Sequence, residues 1–106
     1  MSLIVEERIY TLEVGRAPEY LRLYEQEGLA IQTRILGNMI GYFSSEIGDL
    51  NLVVHIWGYE SFEERTRRRA ELMADPGWQA FLPKLRLFVL RQENRILIPA
   101  PFSPIR

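Results

Sequence analysis

One stretch constrains this chain more than any other: Asn51-Leu-Val-Val-His-Ile-Trp-Gly-Tyr59, a strand signal that carries the sole histidine. Alternate residues of a strand share a face. Val53, His55, Trp57 and Tyr59 therefore point one way, and Leu52, Val54 and Ile56 the other. One face is aliphatic, and the other mixes aromatic rings with a titratable imidazole. An aliphatic face calls for a layer of helices, and an uncovered aromatic face calls for a partner or a ligand, because large exposed patches are rare on monomers. The expectation is a sheet with helices on its aliphatic side and an open aromatic side.

The flanking sequence supplies the other elements. Residues 3–14 alternate and are rich in β-branched and aromatic types, which predicts a first strand ending at Gly15. Pro18 suits the first turn of a helix, where its missing N–H costs nothing. Leu21, Tyr24, Gly28, Ile31 and Ile35 then fall at spacings of three and four, one helical stripe. Gly28 inside it implies either a close approach to the sheet or a kink. Residues 39–48 read as a second strand, turning through Asp49-Leu-Asn51 into the third as a hairpin. Ser61-Phe-Glu-Glu64 has capping-box spacing, opening a helix to about Ala74. Asp75-Pro76-Gly77 stops that helix and starts a short one with Trp78, Phe81, Leu82 and Leu85 as core. Residues 86–98 form the last strand, and Pro99, Pro101 and Pro104 keep 99–106 an extended tail, docked through Phe102 and Ile105 on its own domain or a partner.

The order strand, helix, strand, strand, helix, strand defines an α+β, ferredoxin-like βαββαβ fold with a four-stranded antiparallel sheet covered on one face. With 106 residues the chain fits one domain, 1–106. A net charge of −1 gives no field to recruit nucleic acid or an anionic membrane. The absence of cysteine excludes disulfides, thiolate catalysis and cysteine-ligated metals, and one histidine excludes a multi-histidine metal site within a subunit. No metal or cofactor is expected. Met1-Ser-Leu-Ile-Val-Glu-Glu-Arg8 meets acid too early for a secretory signal, so a cytoplasmic protein is expected.

The chemistry-bearing residues gather on the strands. Glu6, Arg8 and Tyr10 share a face of the first strand, and Tyr42, Ser44 and Glu46 a face of the second. Placed beside His55 and Trp57, they form a polar and aromatic patch. Read as a small-molecule cavity, the patch makes His55 an acid/base candidate whose tautomer Glu6 or Glu46 sets. Arg8 then holds an anionic or carbonyl oxygen, and Tyr10, Tyr42 and Trp57 line the site. Read as an interface, the same charges pair with one another beneath a second copy bound on the open sheet face. Glu7 fits neither picture, because it falls among the helix-facing residues. Arg65, Arg67, Arg68 and Arg69 read as a solvated helix face, with Arg65 or Arg69 able to reach toward a ligand.

Glu6-Glu-Arg-Ile-Tyr-Thr-Leu12, Gly41-Tyr-Phe-Ser-Ser-Glu-Ile-Gly48, Asn51 to Ser61 with Arg65, Asp75-Pro-Gly-Trp78 and Pro101-Phe-Ser-Pro104 together resemble the NIPSNAP family over nearly the whole chain. The resemblance implies a dimeric α+β barrel, two ferredoxin-like domains packed sheet to sheet. That superfamily includes cofactor-independent monooxygenases, isomerases and haem-dependent enzymes, and His55 is the only imidazole available to a haem. The mitochondrial and vesicle functions of longer eukaryotic members do not carry over to the compact chain expected here. Two functions remain: a binder of a small aromatic or carbonyl-bearing molecule, acting as a cofactor-independent oxygenase or isomerase, and a non-catalytic assembly or adapter module.

Overall fold

The computed structural model describes residues 3–106; Met1 and Ser2, where the N-terminal reading above begins, lie outside the described residues. The strands are β1 (Ile4–Leu12), β2 (Asn38–Ser44), β3 (Leu52–Tyr59) and β4 (Val89–Leu97). They form one antiparallel sheet in the order β2-β3-β1-β4, so the expected hairpin is present and the first strand lies between the third and fourth. Helices α1 (Ala17–Leu23), α2 (Leu29–Leu36), α3 (Phe62–Ala74) and α4 (Pro76–Arg86) cover one face.

Helices begin where the sequence places their caps. Ser61 Oγ accepts from the Glu64 N–H at 3.0 Å, and Glu64 returns the bond to the Glu60 N–H at 3.0 Å. The first contact satisfies an amide that the opening helical turn leaves without a partner, and the second ties down the residue just before the cap. Asp75 repeats the device for α4, accepting from Trp78 N–H at 2.9 Å, and Pro76 occupies the first turn. Strand β2 is shorter than expected. It ends at Ser44, so Glu46 sits exposed in the turn rather than on the sheet.

A π turn, Tyr24–Gly28, joins α1 to α2. The buried residues of this rod are Tyr20, Tyr24, Gly28, Gln32, Ile35 and Leu36. Steps of four drift about 40° each on a straight α-helix. The wider π turn absorbs that drift and keeps Tyr20, Tyr24 and Gln32 on the core side. Tyr20 and Gln32 thus take the buried places that the three-four stripe gave to Leu21 and Ile31. Gly28 does not approach the sheet. A Cβ there would lie 2.5 Å from the Phe81 ring, so the missing side chain admits α4.

The face assignment is reversed relative to the sequence reading. Register pairs Trp57 with Glu6, His55 with Arg8 and Val53 with Tyr10, all facing the helices. Val53, His55, Trp57 and Tyr59 are buried, whereas Leu52, Val54 and Ile56 are only half-buried. The aliphatic side of β3 is the open one. The reason lies in bulk: a core this size needs the large rings inside, and the polar groups among them are matched by partners from β4 and α3. Glu7, awkward before, belongs to the open face, where Arg95 pairs with it at 3.4 Å.

Candidate functional site

The covered face holds two connected polar groupings. The first centres on Glu6, fully buried beneath α3. Arg65 grips both carboxylate oxygens at 2.9 and 2.8 Å, and Arg8 and Asn94 donate to Oε2 at 2.9 Å each. Burial alone would raise the carboxyl pKa. The hydrogen bonds from Arg65 and Asn94 and the charges of Arg8 and Arg65 overcome it and bring the value down to about 2. Glu6 therefore does not orient His55, and neither does Glu46. Arg65 is an anchor rather than part of a solvated helix face.

The second grouping is a stack of rings. Tyr42 lies on His55 with centroids 4.6 Å apart and planes at 16°, and Tyr24 covers its other side at 4.7 Å. Tyr10 meets the imidazole edge-on at 4.9 Å, a favoured arrangement for aromatic pairs. The Tyr20 and Tyr42 hydroxyls share a 2.6 Å hydrogen bond, and Tyr24 donates to Gln32 Oε1 at 2.6 Å. Burial raises the pKa of all three phenols, keeping them neutral donors or acceptors. Tyr20, Tyr24 and Gln32 were absent from the sequence-based set; steps of four through an unrecognised π turn were the signal for them.

His55 is oriented by Trp57, whose indole N–H donates to Nδ1 at 2.7 Å. An indole can only donate, so Nδ1 must accept, and the single proton of the neutral ring sits on Nε2. Burial, then the charges of Arg8 and Arg69 against that of Glu6, lowers the imidazole pKa to about 3. At neutral pH His55 is a neutral ring with one N–H donor. That donor is buried and unpartnered, as is the Tyr59 hydroxyl two positions beyond Trp57. A buried polar group without a partner costs about 1–3 kcal/mol.

Of the sequence-based residues, the fold brings together Glu6, Arg8, Tyr10, Tyr42, His55 and Trp57 and leaves Glu46 outside. Among the described residues no cluster of three or more histidine, cysteine or acidic side chains is placed to hold a metal ion. No helix among them is long and apolar enough to cross a membrane.

Fold and site together define a ferredoxin-like α+β protein with a polar, aromatic interior between sheet and helices. The NIPSNAP family model matches residues 5–104, and the chain belongs to that family. It is 33% identical to human Protein NipSnap homolog 3A, over 98% of this chain but 42% of that protein, so it spans less than half the length of this curated relative. A NIPSNAP family protein from Agrobacterium tumefaciens superposes with a TM-score of 0.96 at 53% identity, covering 98% of this chain and 91% of that one. SnoaB, a cofactor-independent oxygenase from Streptomyces nogalater, shares the fold alone, with a TM-score of 0.67 and 16% identity over 98% and 99% of the two chains.

Proposed function

We propose that the protein binds a small aromatic or carbonyl-bearing molecule between the sheet and the helices. The unpartnered Nε2–H of His55 carries this reading, since it is a donor held at fixed orientation among rings with no acceptor of its own. Tyr10, Tyr42 and Trp57 supply apolar walls, the usual makeup of a small-molecule site. His55 acts there as a hydrogen-bond donor rather than a base, because Trp57 occupies the only nitrogen able to take a proton. If the ligand is a substrate, an oxygenase or isomerase reaction would place its developing oxyanion at this donor. A carbonyl fragment library screened against the wild type and His55→Phe tests the reading. Hits should bind the wild type and be lost in the variant, which keeps a ring but no donor. Hits indifferent to the change, or none at millimolar concentration, would reject it.

A homodimer through the open sheet face is the second proposal. Phe43, Val54, Ile56 and Leu97 form an apolar strip there, with Phe43 54% exposed. The tail covers only one end, where Ile105 and Pro99 meet Val5, Ile40 and Ile56 around a groove of about 420 Å³, and Phe102 is left in solvent. A second copy of the same strip is self-complementary under two-fold symmetry.

A further inference from the structure

Two backbone irregularities face each other where β2, the outermost strand on its side, runs beneath the first helices. The register of β2 against β3 pairs Met39 with Trp57, Gly41 with Ile56 and Tyr42 with His55, so Ile40 is the extra residue of a β-bulge. On a regular strand, residues three apart point to opposite faces. The bulge instead puts both Met39 and Tyr42 on the covered face, beside Trp57 and His55, while Ile40 joins Ile56 in the groove of the open side. Opposite them, the π turn holds Tyr24 on the core side, where it stacks on Tyr42 at 4.7 Å. Bulges and π turns recur beside functional sites, where each re-aims side chains that regular backbone would turn away.

Between the two lies a cleft of about 450 Å³, within the range of small-molecule sites. Leu21, Tyr24, Leu29, Met39 and Tyr42 form its walls. Its charged lining residues, Arg22 and Glu25, are exposed and opposite in sign, so the cleft offers no net charge. An ion lodged there would leave water without a counter-charge, which disfavours charged ligands. Met39 brings a pliable thioether that adapts to a flat ring. His55 and Tyr24 already cover both faces of Tyr42, so a ligand meets that ring at its edge, a favoured arrangement for aromatic groups. We propose that this cleft binds a neutral ring compound bearing a carbonyl group, seated on Leu21, Leu29 and Met39 and against the edge of Tyr42. The inference rests on the binding reading above, places its ligand at the β2 edge and makes that ligand uncharged.

Indole-3-carboxamide and indole-3-carboxylate, alike in shape but not in charge, are the probes, titrated by calorimetry. The chain has three methionines, and ¹³C-methyl labelling reports on Met39, whose signal is assigned by its loss in Met39→Leu. The carboxamide should bind and shift the Met39 signal while leaving that of Met73, on α3, in place. The carboxylate should bind at least about tenfold more weakly, because its charge finds no partner. Leu21→Trp fills the cleft from α1 and Leu29→Trp from α2. Each should weaken the carboxamide by at least about tenfold, and having two variants keeps a fold defect in one from deciding the matter. Carboxamide binding unaltered by both, a carboxylate that binds as tightly, or a Met39 signal that ignores the carboxamide would overturn the assignment. Movement of the Met39 signal on dilution alone would mark the cleft as a contact between copies and overturn it too. A Met39 shift with a silent His55 Nε2–H would uphold the cleft and reject the donor reading, and a His55 shift with a silent Met39 would do the reverse.

Discussion

On the covered face of the sheet, His55 is 1% exposed and locked between Tyr42, Tyr10 and Trp57, and Glu6 beside it receives four hydrogen bonds. On the open face, one residue away along the same strands, Phe43 is more than half exposed and Glu7 meets only the flexible end of Arg95. The two surfaces share a backbone and a hydrogen-bond ladder, so their difference is one of side-chain partnership. Polar groups are tolerated inside because residues distant in sequence complete them. Apolar groups remain outside because no helix reaches that side. It follows that the same substitution should have very different consequences on the two faces.

The largest contrast is expected at adjacent residues. Glu6→Gln leaves Arg65 and Arg8 without a buried counter-charge and should cost about 3–5 kcal/mol, a fall in Tm of roughly 15 °C or more for a domain of this size. Glu7→Gln removes a partly exposed pair and should change stability by less than about 1 kcal/mol. Comparable losses in thermal melts would erase the distinction between the faces.

Acidification comes next. The folded-state pKa of His55 lies near 3 against an ordinary 6.5, so the unfolded chain takes up the proton first. Stability from this residue is complete above pH 6.5 and declines as pH falls toward 3, by up to about 1.4 kcal/mol per pH unit. Glu6, lowered from 4.5 to about 2, adds its own loss only below pH 4.5. Denaturant titrations should show a decline of roughly 2 kcal/mol between pH 6.5 and 4.5, and His55→Gln should flatten that interval while sparing the lower one. A wild-type curve level across it would contradict the buried neutral imidazole.

Two glycines sharpen the comparison. An added Cβ would lie 2.5 Å from Phe81 at Gly28 and 2.6 Å from Phe43 at Gly41. Phe81 is 1% exposed and fixed in the core, so Gly28→Ala should cost about 1–3 kcal/mol by overpacking. Phe43 can swing into solvent, so Gly41→Ala should stay within about 0.5 kcal/mol. The smallest effect on the subunit itself belongs to Phe43→Lys on the open face, because Phe43 is already 54% exposed. Its readout is sedimentation: the wild type should run as a dimer and the variant as a monomer, and equal masses would remove the open face as the pairing surface.

Much of the architecture was legible. Ser61 and Asp75 mark helix starts by their own side-chain chemistry, and the strand order follows from the alternation of elements. Which face the helices cover was not, because a period of two separates the faces of β3 without saying which is inside. Glu6, Arg8 and His55 argued for an outer face, and only contacts across long sequence distances, from Arg65 and Asn94, make them acceptable inside. Glu7 was the one local clue, since a carboxylate on the aliphatic side marks that side as the one left open to water, where Arg95 meets it. Within the site, His55 and its ring neighbours could be read from the strands. The role of Trp57 in fixing the tautomer could not, because it depends on how two side chains lean toward each other along one strand. Arg65 was one of four neighbouring arginines until α3 was placed over the sheet and its guanidinium met Glu6.

The central claim is that His55 is a neutral donor with its proton on Nε2. Because the chain has a single histidine, a ¹⁵N-histidine correlation spectrum reports on it without ambiguity. The account predicts one neutral ring, protonated at Nε2 and unprotonated at the nitrogen facing Trp57, unchanged from pH 7 down to about 4. A proton on Nδ1, or a cationic ring near neutrality, would contradict it.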